Sequence, residues 1–292
     1  MAERHCAFSR CSGSKEIVLF VHGIQGSPEQ FRELTACLPE HIDTMSLLLP
    51  GHGGSLRGFR RAGKREWLEY FCGLCGKLSE SYEKVFFVGH SLGCLIGIEA
   101  AASGVICFDG MLLIACPIRI RPSMRYFAMG WRAIVSNASS DAYVRAAREA
   151  NSVDVKHPLE LLTCVKPYAG LALLIAQSGR KIKRQRARIC MIQSDRDEIV
   201  SARSMDVVGE MENAKAVVVP GSGHFFYSAE AREIIKRELF ALLNGKLKTA
   251  YEEEAEPCGS ASSFRFLTIP VFLADGDCSI LIRGASSGED GA

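Results

Sequence analysis

The stretch KVFFVGHSLGCLIG, Lys84 to Gly97, constrains what this chain can fold into more than any other. An apolar, β-branched run ends in Gly89-His90-Ser91-Leu92-Gly93, and an apolar helical pattern begins at once. A strand that turns this sharply into a helix lifts the side chain of the turn residue clear of the sheet. Glycines two positions before and after it let backbone and helix approach closely. The pattern therefore predicts that Ser91 is presented at a helix N-terminus, where unpaired N–H groups favour negative charge. The N–H of Leu92 then points to where an oxyanion would form beside the serine.

A serine hydroxyl is a weak nucleophile near neutral pH, so it needs a histidine base and a carboxylate that holds the histidine in one tautomer. Both occur downstream at strand ends. Gln193-Ser194-Asp195-Arg196-Asp197-Glu198-Ile199-Val200 follows the apolar run Ile189 to Ile192. Gly221-Ser222-Gly223-His224 follows Ala216 to Val219 and precedes an amphipathic helix carrying Ile234, Ile235, Leu239, Phe240 and Leu243. Asp195 and Asp197 are both placed to be the acid, and Asp195 is equally suited to an Asx turn or a helix cap. Upstream, Val21-His22-Gly23-Ile24-Gln25-Gly26 supplies a glycine-flanked N–H at Ile24 as a second oxyanion donor.

Continuously apolar runs at Ile17 to Val21, Thr44 to Leu49, Val85 to Val88, Met111 to Ala115, Ile189 to Ile192 and Ala216 to Val219 alternate with helical patterns. Such alternation predicts an α/β fold with a parallel sheet covered on both faces. Ser27-Pro28-Glu29-Gln30 reads as an N-cap, a proline at the first helical position and a capping-box glutamine. The strand rhythm stops between Cys116 and Gln185, which predicts a helical cap insertion over 117–185 lying above the carboxyl ends of the strands. The core is then 1–116 with 186–245. Residues 246–292 begin charged and Ser/Gly-rich and read as a disordered or loosely docked tail, with a hairpin pattern around Asp275-Gly276-Asp277.

The segments VHGIQGSPEQF, LLLPGHGGS, VGHSLG, QSDRDEIV and SGHFF together resemble bacterial carboxylesterases and monoacylglycerol lipases of the α/β-hydrolase superfamily, over about Ile17 to Leu243. The resemblance implies the α/β-hydrolase fold: a mostly parallel sheet, helices on both faces and a small helical cap. In that family the acid is followed by two residues and a valine or isoleucine, which matches Asp197 with Val200. The implied site is thus a Ser91, His224, Asp197 triad with the N–H groups of Ile24 and Leu92 as oxyanion hole. The implied activity is cleavage of carboxylic esters through an acyl-enzyme, with no metal or organic cofactor. The same machinery serves other acyl and carbon–carbon bond hydrolases and acyltransferases, and some relatives keep the fold only to bind ligands. The chain departs from larger relatives in a short N-terminal segment and in its tail.

Composition narrows the partners. A net charge of +2 over 292 residues gives no electrostatic case for nucleic acid or an anionic membrane and leaves small neutral substrates open; the small-molecule ester is what the resemblance implies. MAERHCAFSR lacks a signal-peptide pattern and Leu171 to Ala176 is too short to span a bilayer, so a cytoplasmic chain with no stable membrane insertion is expected. The twelve cysteines then read as reduced thiols, and the Asn137 sequon as unused. Oligomeric state leaves no mark on the sequence. His22 and His52 read as loop-bonding residues rather than metal ligands, Cys72 and Cys75 as helix core, and Gly179 to Arg188 as a solvated basic connection. Tyr126, Phe127 and Trp131 either line an acyl pocket or hold the cap helices together. Interleaved with Arg125 and Arg132, they predict an apolar inner and a charged outer cap face.

Overall fold

The computed structural model describes residues 5–135 and 140–247; the sequon at Asn137 and the hairpin pattern near Asp275 lie outside them. The apolar runs become β2 (Glu16–Val21), β3 (Asp43–Leu47), β4 (Lys84–His90), β5 (Gly110–Ile114), β6 (Arg188–Ser194) and β7 (Ala214–Val219), preceded by a short β1 (Phe8–Arg10). They form one sheet in the order β1-β3-β2-β4-β5-β6-β7. Every pairing is parallel except that of β1, which lies antiparallel on β3 with Phe8 opposite Ser46. Three residues are too few to show a period, which is why β1 escapes a sequence reading.

From β2 the chain moves outward to β3 and then returns to the other side of β2 as β4. The carboxyl ends of β2 and β4 therefore flank the point where the strand order reverses, the place where open α/β sheets leave a crevice for ligands. The loop with Ile24 follows β2 and Ser91 follows β4.

Alternate strand residues feed opposite faces. Ile17, Leu19, Val85, Phe87, Met111 and Met191 pack on the face covered by α3 (Lys64–Ser81), α4 (Leu92–Ala102) and α7 (Val165–Ile182). Val18, Phe20, Phe86, Val88, Leu112 and Ile192 pack on the face covered by α1 (Arg32–Cys37) and α8 (Ala229–Leu243). Each large side chain buried this way contributes about 1.5–3 kcal/mol. Cys72 and Cys75 fall inside α3, and every cysteine of the described residues is a free thiol. The remaining helices are α2 (Leu56–Arg61), α5 (Met124–Val135) and α6 (Ala142–Ala150).

Four local expectations change. Ser27 makes no side-chain cap bond; the segment enters as a 3-10 turn, Pro28–Phe31, before α1. The 117–185 stretch does not behave as one insertion. α5, α6 and a 3-10 turn at Pro158–Thr163 stand over the strand ends, whereas α7 packs on α3 and α4 with Leu174 and Ile182 in the sheet core. The apolar stripe of α7 looks the same in sequence whether it meets a cap or a sheet. Leu247 is buried against the α8 face, so the packed chain runs past the expected core boundary at 245. The basic run ending α7 is partly paired: Lys181 meets the buried Glu99 at 2.5 Å and Lys183 meets Glu210 at 3.0 Å.

Candidate active site

Ser91 occupies φ 50°, ψ −115°, a left-handed conformation that an L-residue enters only when its surroundings enforce it. The enforcement is steric. A Cβ on Gly93 would lie 1.9 Å from the carbonyl oxygen of Val21, so only glycine lets α4 start this close to β2. The Ser91 N–H donates to Ile114 O at 3.0 Å, anchoring the turn to β5. Gly23 abuts the same turn: a Cβ there would stand 3.1 Å from Ser91 Cβ. The backbone of Ile24 thus follows directly on a residue in contact with the serine, and Leu92 opens α4 beside it.

The structure brings the three expected side chains into one row. His224 Nε2 lies 3.1 Å from Ser91 Oγ, and His224 Nδ1 lies 3.0 Å from Asp197 Oδ2. All three are almost fully buried. Asp197 Oδ1 also accepts the N–H groups of Ile199 and Val200 at 2.9 and 2.8 Å. Burial alone would raise the Asp197 pKa, but the His224 ring and these hydrogen bonds outweigh it and hold the carboxyl below its ordinary value. Asp195 does other work, accepting Gly221 N–H and Ser222 N–H, each at 3.0 Å, and so shapes the turn that carries His224.

Sequence reasoning passed over the groups that hold the His224 backbone. Its carbonyl accepts from His90 Nε2–H at 2.9 Å and from the Tyr227 hydroxyl at 3.3 Å. Its N–H donates to Glu198 Oε2 at 2.9 Å. His90 was visible as the residue before the serine, but nothing in its spacing marks a partner 134 positions away.

His22 and His52 are loop residues here. His22 Nδ1–H donates to Gly23 O at 2.8 Å while Nε2 accepts the Leu49 N–H at 3.0 Å, so both ring nitrogens are used. His52 sits edge-on to His22 and to Phe59. Among the described residues no group of three or more His, Cys, Asp or Glu is placed to hold a metal ion. Burial depresses the imidazoles of three histidines: His22 well below its ordinary value, His52 to about 4, and His90, with help from the neighbouring His224, to about 3. They stay neutral in the fold while the unfolded chain takes up protons below about pH 6.5. Each then removes stability on acidification, with a slope that rises from about 0.7 kcal/mol per pH unit at pH 6.5 towards a limit of about 1.4 below about pH 5.5. The melting temperature is expected to fall steeply from pH 6.5 to 5; a flat profile over that window would show that the folded protein accepts these protons.

A cavity of about 360 Å³ is lined by Ile24, Tyr126, Phe127, Trp131, Leu161 and Phe225 among others, so its wall includes the residue after Gly23 and the residue after His224. Tyr126, Phe127 and Trp131 therefore face this space. The expected charged outer face of the cap does not form cleanly. Met124 is 82% exposed and Leu162 75% exposed, and Phe127, Trp131, Leu159 and Val165 are also exposed; of these Phe127, Trp131, Leu159 and Leu162 line the cavity and give it an apolar lip. Residues that line a mouth between short helices are half inside and half outside, which a helical period cannot express. No helix among the described residues is long and apolar enough to cross a membrane.

The mostly parallel sheet, the strained serine turn and loops at the carboxyl strand ends define an α/β-hydrolase fold. A family model described as the alpha/beta hydrolase family matches residues 18–237, and the chain belongs to that family. No curated protein matches the sequence. Among solved structures the fold is similar to that reported for LipS and LipT, two metagenome-derived lipolytic enzymes, at TM-score 0.63 and 18% identity over 84% of this chain and 99% of that one. It is also similar to a monoacylglycerol lipase of Paleococcus ferrophilus (TM-score 0.60, 15% identity, 82% and 98% covered). A meta-cleavage product hydrolase from Pseudomonas fluorescens IP01 is a third (TM-score 0.59, 17% identity, 82% and 93% covered).

Proposed function

We propose that the protein is a serine hydrolase of carboxylic esters. Ser91 Oγ attacks the ester carbonyl while His224 Nε2 takes its proton. Asp197 orients the ring and stabilises the imidazolium, and the N–H groups of Ile24 and Leu92 hold the tetrahedral oxyanion. Collapse returns the proton to the leaving alcohol and leaves Ser91 acylated. Water activated by His224 then releases the carboxylic acid.

The observation that carries this reading is the Ser91–His224–Asp197 row, at 3.1 and 3.0 Å, with an apolar cavity whose wall includes Ile24 and Phe225, the sequence neighbours of Gly23 and His224. Lipolytic enzymes among similar folds are consistent with it. A cavity near 360 Å³ is at the small end for drug-sized ligands and suits a short or medium acyl chain. The apolar lip supports a second reading, a lipase-like preference for aggregated long-chain substrates.

Measuring kcat/KM for p-nitrophenyl esters from acetate to palmitate separates the two. On the first reading the value climbs about fourfold per methylene until the cavity is full, then drops. A maximum at palmitate, or strong activation by an emulsion surface, selects the second. No turnover with any ester and no fluorophosphonate label on Ser91 would overturn both.

A further inference from the structure

The loop after β6 carries three carboxylates, and each takes a different part of the His224 turn. Asp195 takes the N–H groups before it, Asp197 the ring and Glu198 the backbone N–H. Glu198 stands apart in one respect. Its side chain is 2% exposed, yet Oε1 is buried with no hydrogen-bond partner, and the nearest cation, Arg125 Nε on α5, is 3.8 Å away. A buried carboxylate oxygen lacking a donor is costly, and such an orphan in a native fold calls for a reason.

The surroundings supply one. The guanidinium of Arg125 lies 4.4 Å above the ring of Tyr143 on α6, and the Tyr143 hydroxyl donates to Gly221 O at 3.2 Å. The Glu198 carbonyl accepts the N–H of Ser123 at the foot of α5, at 2.8 Å. A Cβ on Gly223 would come within 2.7 Å of both Glu198 Oε1 and Tyr143 Cε1, so the two side chains clasp the turn before His224. The helices that line the cavity therefore reach the His224 turn through Glu198 and Tyr143.

We propose that Glu198 is a positioning residue that ties the place of His224 to the helices over the cavity. An occupant that draws α5 inward brings Arg125 into hydrogen bonding with Glu198 Oε1. Glu198, neutralised on one oxygen, then holds the His224 N–H firmly on the other, in line with Ser91 and Asp197. Interactions made far from the carbonyl are thereby used at the reacting centre, so filling the cavity raises kcat and does not merely lower KM. The inference rests on the reading of His224 as the general base.

The test uses Arg125→Gln, Glu198→Gln, Glu198→Ala and the Arg125→Gln/Glu198→Gln double variant of the full chain. Arg125 is half-exposed, so its variant is expected to fold like the parent. Arg125→Gln should lower kcat about two- to fivefold on the ester that best fills the cavity, the size expected of a half-exposed charge pair. Glu198→Ala should lower kcat about a hundredfold through a misplaced base, with KM little changed. Glu198→Gln keeps an oxygen for the His224 N–H and should recover most of that loss. In its presence Arg125→Gln should have no further effect. Additive losses, or Glu198→Ala with full kcat and only a lower melting temperature, would overturn the coupling. The downfield proton resonance of His224 Nδ1–H reads the same link without turnover, and it should move in Arg125→Gln. An unmoved resonance counts against the coupling; a moved one in a parent that hydrolyses no ester counts against the proposed activity alone.

Discussion

Ser91→Ala and His224→Ala are each expected to cut kcat/KM for a p-nitrophenyl ester by about a millionfold, with the double variant no worse than either single one. The reason is geometric. With Oγ and Nε2 3.1 Å apart, the serine is nucleophilic only while the histidine accepts its proton, so removing either ends the same step. What survives is rate acceleration from the oxyanion hole and binding. Fluorophosphonate labelling should disappear in Ser91→Ala in parallel with turnover. Wild-type turnover in Ser91→Ala would move the chemistry away from the strained turn.

Asp197→Asn should cost about 10⁴-fold in kcat, whereas Asp195→Asn should keep activity within about tenfold and show mainly as a lower melting temperature. The two residues are two positions apart in one loop and chemically identical, but their partners differ. Asp197 is bonded to the His224 ring, so an amide there presents an N–H where an acceptor is needed and selects the wrong tautomer. Asp195 instead accepts the backbone N–H groups of Gly221 and Ser222, and an asparagine oxygen still accepts one of them. The reverse ranking in kcat would make Asp195 the acid.

The positions of Ser91 and His224 were legible in the sequence because local rules mark them. Glycines two residues either side of a serine, between a β-branched run and a helix, describe a turn that few other conformations satisfy, and Gly93 meets the Val21 carbonyl as that rule requires. The alternation of apolar strands and helices likewise carried the parallel sheet, since strands buried on both faces must be continuously apolar. By contrast, α7 reads as part of the cap because its stripe records only that one face is buried, not which element covers it.

By itself, then, the amino-acid order determined the sheet, the serine turn, the histidine after the last strand and a pair of acids between them, all features set by neighbours within a few residues. Tertiary structure put Asp197, the acid that the family spacing to Val200 implies, against the ring and turned Asp195 to the backbone of the His224 turn. It also decided that His90, 134 positions from His224, grips its carbonyl, and that Glu198 stands between the His224 N–H and an arginine of α5. Those choices depend on how far each loop advances over the strand ends before turning. That distance comes from the packing of helices distant in sequence, so no local period or spacing encodes it.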